Sequence, residues 1–236
     1  MSQKNSAGWV PAILGGVVGA TLTAGVLFLA GPALLGERMV RDALVANPEI
    51  IIDAGEALRD KQFADTLQPI RASLERPFFS SWKGAEKPAV TLTYFFDYAC
   101  GYCRMSNPEI ERLLKEDADL RVVYRELPIL GPDSVAAARV SLAASKAGKF
   151  SQYHDALYAA GRPGPDTIAI AAKAAGIPPQ PAKDAAQEAE LRSNMALASQ
   201  LGATGTPLFV VGDRVMNAAV GYDALKSAIE AARKKS

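Results

Sequence analysis

Cysteine occurs only twice in these 236 residues, histidine once, and the charges nearly cancel at a formal net +1. Two cysteines cannot build the disulfide framework of a small secreted scaffold. With His154 they still fall short of the four ligands usual for structural zinc, so a zinc site needs assembly across subunits. Without a basic surplus, the electrostatic term on which nucleic-acid binding rests is missing, and no nucleic-acid partner is expected. Charge is also absent locally, because residues 5–36 carry none. As a helix rising about 1.5 Å per residue, 11–32 spans about 33 Å, which matches a bilayer core. A cleaved signal has a shorter apolar core and a small-x-small site; Ala30 and Ala33 leave that alternative open, while the length favours an anchor over 1–36.

What the chain does have is a close pair, Cys100-Gly101-Tyr102-Cys103, placed after an apolar aromatic run and before an amphipathic stretch. So short a loop stabilises little as a staple, and two thiols at a helix start can close and reopen a small disulfide ring. The pair therefore reads as redox chemistry. Residues 89–96 are rich in Val, Thr, Tyr and Phe and predict a buried strand, followed by a turn at 97–99 and a helix to about 115. A second strand is expected at 120–126. Ala-rich helices follow at 134–147, 149–160, 166–175 and 181–201, punctuated by Gly and Pro. Gly205-Thr206-Pro207 precedes strands at 208–211 and 214–217 and a closing helix at 222–234. The pattern is α/β: a β-α-β half, a helical insert over about 132–201, and a β-β-α half, together forming a body over 80–236.

Between the apolar N-terminus and this body, 37–79 reads as a helical stalk. Asn47-Pro48-Glu49 is a helix-start signal, and the helix runs to about Glu75. Phe63, Leu67, Ile70 and Leu74 repeat at helical spacing, with Ile51 and Leu58 upstream in shifted phase. The stripe either pairs with copies of itself as a short coiled coil or packs on its own chain; self-association is the favoured expectation. Pro69 argues against a straight helix.

The Cys-Gly-Tyr-Cys helix start, the insert, Gly-Thr-Pro, and the stretches at 95–103 and 128–131 resemble the thioredoxin-fold disulfide oxidoreductases of the DsbA family. The stalk near Asn47-Pro48-Glu49-Ile50 is similar to the N-terminal extension of its oligomerising, isomerase-like, ScsC-like subgroup. The resemblance implies a thioredoxin fold over about 87–232, preceded by the stalk and the transmembrane segment. It implies that Cys100, held where the helix dipole favours negative charge, is the nucleophile and that the shielded Cys103 resolves the mixed disulfide. It further implies a cis Pro207, with Thr206 offering backbone to an extended substrate and with Gly101 and Tyr102 at the same surface. An X-Pro bond without such a context is overwhelmingly trans.

Strongly oxidising members carry Pro-His between the cysteines. Here Gly101-Tyr102 supplies no imidazole, and the combination with Thr before Pro resembles the isomerase DsbC. The expected activity is disulfide exchange on exported proteins, leaning to isomerase or reductase; the alternatives are a DsbA-like oxidase and a chaperone-like scaffold with incidental thiols. No cofactor beyond the Cys100-Cys103 pair and no metal is expected. A membrane redox partner should reset the cysteines. Lys4 against Arg38 and Arg41, offset by Glu37 and Asp42, leaves orientation undecided. Dithiol chemistry works best outside the reducing cytosol, so the periplasmic side is expected. Asp97 and Glu126 are candidate proton-transfer groups, although a turn role suits Asp97 better. His154 reads as a packing residue.

Overall fold

The computed structural model describes residues 36–182 and 184–234. The apolar segment expected to enter the membrane lies outside them except for Gly36, and no helix among the described residues is long and apolar enough to cross a membrane. The chain divides into two units between Ala57 and Leu58. In the first, helical residues 36–46 (α1) are followed by a turn at Asn47, whose N–H and side-chain amide both donate to Ala43 O, at 2.9 and 3.1 Å. Helix α2 (Glu49–Glu75) starts there and continues unbroken through Pro69. Met39, Val40, Val45, Ile51 and Ile52 are exposed, Val45 at 75%.

The second unit is a five-stranded sheet, formed by β1 (Trp82–Gly84), β2 (Val90–Phe96), β3 (Leu120–Glu126), β4 (Leu208–Val211) and β5 (Arg214–Met216) in the order β1-β3-β2-β4-β5. Central β2 runs parallel to β3 and antiparallel to β4. It is covered on both faces, which is why apolar, β-branched and aromatic residues dominate its sequence. Leu92, Tyr94 and Phe96 face a core shared with α3 (Gly101–Glu116), α4 (Pro132–Lys146), α5 (Phe150–Ala160), α6 (Pro165–Ala175) and α8 (Tyr222–Arg233). Phe95 faces the opposite core, with Leu67 and Leu74 of α2 and Leu197 of α7 (Ala185–Gln200).

The fate of the stalk stripe corrects the favoured expectation. Leu67 and Leu74 are fully buried, with Phe63 and Ile70 packed beside them, against the sheet of their own chain. Burying each leucine is worth about 2 kcal/mol or more, so this seam is not left for another copy. Polar bonds hold the same half of α2. It has no basic residue in its last turn, and buried Arg125 of β3 supplies the cation instead, donating to Leu74 O at 3.2 Å and Arg76 O at 2.9 Å. Thr93 donates to Leu74 O at 3.0 Å, and Arg71 binds Gly212 O and Asp213 at 2.6 and 2.7 Å.

Strand β1 was not expected. It pairs antiparallel with β3, and Gly84 (φ 97°) passes so close that a Cβ would stand 2.2 Å from Leu120 O. Three residues are too few to show an alternating pattern.

Candidate active site

Strand β2 ends at Phe96, and Asp97 turns the chain into α3. Its Oδ1 accepts from Ala99 N–H at 2.8 Å; its Oδ2 accepts from Ile129 and Leu130 N–H at 2.9 and 3.0 Å, drawing in the loop after β3. The backbone oxygen of Asp97 takes Cys100 N–H at 3.0 Å. With both carboxylate oxygens engaged by backbone donors, this buried group acts as a clasp, in keeping with its turn role.

Cys100 caps α3, with φ −78° and ψ 120°. Its sulfur stands where a Ser or Asp oxygen usually does and accepts from Cys103 N–H at 3.4 Å. Cys100 Sγ also donates to Thr206 O at 3.2 Å, across 106 positions of sequence. The sheet explains that approach: Leu208 pairs with Phe95, so the segment entering β4 must lie beside the chain leaving β2. The Thr206-Pro207 peptide is cis. Cys100, Cys103, Thr206 and Pro207 are thus assembled at one helix end, with Gly101 and Tyr102 on its outer surface, Tyr102 64% exposed.

The two free thiols differ sharply. Cys100 keeps 7% of its surface and Cys103 none. Burial pushes the Cys103 thiol up to about 12, against smaller downward pulls from the Asp97 backbone and the Tyr94 hydroxyl. At neutral pH Cys103 is protonated.

Glu126 lies in a neighbouring buried layer. Ser141 Oγ donates to its Oε1 at 2.7 Å, Tyr98 OH stands 2.8 Å from Ser141 Oγ, and His154 Nδ1 stands 3.3 Å from Tyr98 OH. Each hydroxyl has one proton, so Glu126, Ser141, Tyr98 and His154 form one continuous hydrogen-bonded chain, whose direction is set by which carboxyl oxygen and which imidazole nitrogen hold the protons. Glu126 Oε2 has no hydrogen-bond partner among the described residues, and burial pushes the carboxyl up to about 8, which keeps it protonated at neutral pH. His154 is held well below its ordinary value by burial, among Phe96, Tyr124, Phe150 and Tyr158. The packing expectation for it fits.

Three contributors were not anticipated. Tyr94 and Tyr98 look like core aromatics in sequence, yet each brings a hydroxyl to a polar contact. Arg104, the residue after the pair, donates to Tyr158 O and, at 2.7 Å, to Gly161 O, tying α3 to the carbonyl end of α5.

Residues 91–230 match the family model described as DSBA-like thioredoxin domain, and 37–64 match the copper resistance protein ScsC N-terminal domain. A periplasmic thioredoxin-like protein from Salmonella enterica serovar Typhimurium is similar at 30% identity and TM-score 0.65, covering 71% of this chain and 97% of that one. Proteus mirabilis ScsC in a transitional conformation is similar at 29% identity and TM-score 0.67, covering 85% and 94%. A curated relative, the Na(+)/H(+) antiporter NhaA 3 of Salinispora tropica, is 29% identical over 149 residues, 62% of this chain and 20% of the relative. The chain spans about a fifth of the length of the curated relatives it matches.

Proposed function

Because the chain belongs to the DSBA-like thioredoxin domain family, we propose that it exchanges disulfides with exported proteins, using Cys100 as nucleophile and Cys103 as resolving thiol. The observation that carries this reading is the Cys100 sulfur at the helix cap, 3.4 Å from Cys103 N and 3.2 Å from Thr206 O. The cap places its sulfur at the positive end of α3, and its residual exposure admits a client sulfur. Cys100 attacks a client disulfide, and Cys103 then attacks the Cys100 sulfur and releases the client thiol. Thr206 supplies backbone for strand-like pairing with the client, and Gly101 and Tyr102 form the adjoining surface.

The direction leans to isomerase or reductase over DsbA-like oxidase. Gly101-Tyr102 offers Cys100 no imidazole, and the chain's one histidine is buried against Tyr98. A couple without that extra thiolate stabilisation is less oxidising. Placement on the periplasmic side of the membrane, with a membrane redox partner resetting the cysteines, completes the reading; the Salmonella relative's description as periplasmic supports it.

Self-association belongs to the segment before Leu67 and not to the buried seam. Exposed apolar residues from Met39 to Leu58 fall inside the stretch that matches the ScsC N-terminal domain.

Parallel assays of scrambled-disulfide refolding and of oxidation of a reduced client test the direction. Efficient reshuffling is expected, and oxidation without reshuffling overturns the isomerase lean. Light scattering should give a multimer for a chain starting at Glu37 and a monomer for one starting at Arg59, which keeps the buried half of α2; two monomers would end the self-association proposal.

A further inference from the structure

Tyr94 is held rigidly and yet its hydroxyl is poorly engaged. Its ring stacks on Phe209 at 4.9 Å and 13° and contacts Phe96 and Tyr124 at 5.4 and 5.7 Å. This places the fully buried hydroxyl under the first turn of α3, 3.3 Å from Cys103 O and 3.5 Å from Asn107 Oδ1. Both distances are well beyond the roughly 2.7–2.8 Å usual for an O–H donor. Tyr98, by contrast, meets Ser141 Oγ at 2.8 Å. A buried donor with one proton and two stretched acceptors gains by turning to a stronger acceptor, and an anionic sulfur is one. The hydroxyl meets the backbone oxygen of Cys103, and it already draws the thiol of that same residue toward ionisation.

We infer that Tyr94 donates its hydroxyl hydrogen bond to the Cys103 sulfur as that sulfur turns into a thiolate, and so sets the rate at which the mixed disulfide on Cys100 is resolved. The inference rests on the proposed assignment of Cys103 as resolving thiol. In the step itself, the Cys103 sulfur forms a bond to Cys100 Sγ, the bond from Cys100 Sγ to the client sulfur breaks, and the client sulfur leaves with the electron pair. The proton first held by Cys103 ends on the client thiol. Over the complete reaction the two cysteines lose two electrons and two protons, and the client disulfide gains both. Tyr94 keeps its own proton throughout. Asn107 is half-buried and serves as a resting acceptor for the hydroxyl.

The test is rapid mixing of the reduced full chain with an aromatic disulfide whose thiolate absorbs on release, 5,5′-dithiobis(2-nitrobenzoate). Wild type should release one thiolate as Cys100 attacks and a second as Cys103 resolves. Tyr94→Phe keeps the ring and removes the donor. Its second phase should slow by about tenfold or more, the usual worth of a hydrogen bond to a charged group, with its pH profile displaced upward and its first phase unchanged. The equilibrium with glutathione at pH 7 should not move, because Cys103 is protonated in the reduced protein there. Asn107→Ala should leave the second phase within about twofold, as for most substitutions that remove no strong contact. An unchanged second phase in Tyr94→Phe overturns the inference. Equal slowing of both phases, or a displaced glutathione equilibrium, also overturns it by exposing a purely structural role. A wild-type trace reproduced by Cys103→Ser removes the resolving role of Cys103, and that of Tyr94 with it.

Discussion

Cys100 closes the end of α3 at the rim of the sheet, where it meets Thr206 and the exposed Tyr102; Cys103 lies one turn inward, among Tyr94 and the aromatic core. The rim is polar backbone and residual solvent. The interior is apolar, and its titrating groups, Cys103, Glu126 and His154, are all held in their neutral forms by burial. One residue type therefore takes two roles three positions apart, decided by which environment the helix turn delivers each sulfur to. In the proposed reaction the rim captures a client, and the interior holds back the second thiol until a disulfide is within reach.

The harshest way to break this comparison is to exchange the two thiols' fates. Cys100→Ser should reduce disulfide exchange to the uncatalysed background, because the remaining thiol is buried and protonated; substantial exchange by this variant would mean that the interior sulfur can reach clients. The same variant sharpens the contrast through pH. Alkylation of Cys103 by iodoacetamide should be negligible at pH 9, where only about one thiol in a thousand is ionised for a group near 12, and should keep rising toward that pH. A plateau near pH 8 would show that burial does not govern it.

Glu126 probes the interior without touching either sulfur. Its folded value of about 8 lies above the ordinary 4.5, so between those limits the folded protein keeps a proton that the unfolded chain has released. The Glu126 contribution to stability must then fall as pH rises through that window, while buried, neutral His154 contributes in the opposite sense up to its ordinary 6.5. Between pH 5 and pH 8, denaturant titrations should show wild type losing on the order of 3 kcal/mol of stability relative to Glu126→Gln; parallel pH slopes would remove the buried-acid account. At the rim the smallest effect is expected. Tyr102→Ala should weaken saturation by an unfolded client a few-fold and leave stability within about 0.5 kcal/mol, since the side chain faces solvent. A large stability loss would place Tyr102 in the interior.

The same division decides what could be read before folding. Cys100, Cys103 and Gly205-Thr206-Pro207 were legible because each is a short motif with its own local geometry, and β2, β3 and the insert helices were legible from their composition and from the Gly and Pro residues that punctuate them. The Phe63-Leu67-Ile70-Leu74 stripe was visible as a stripe, but periodicity states that a face is apolar and not what covers it; the sheet's second face does so here. Strand β1 was too short to show a pattern. The hydroxyls of Tyr94 and Tyr98 were hidden for a different reason: an aromatic in a buried strand reads as core, and only tertiary packing reveals that its polar end meets Cys103, Asn107 or Ser141. Asp97 was recognisable as a turn residue, but its bonds to Ile129 and Leu130 depend on a loop 32 and 33 positions away.

The most direct test of the division of labour is to mix the reduced Cys103→Ser chain with a disulfide-bonded client, quench in acid, and map the mixed disulfide by peptide mass spectrometry. The account predicts client sulfur bound to Cys100 in near-stoichiometric amount and stable until an external thiol is added. No adduct, or an adduct that forms equally well on Cys103 in the Cys100→Ser chain, would contradict it.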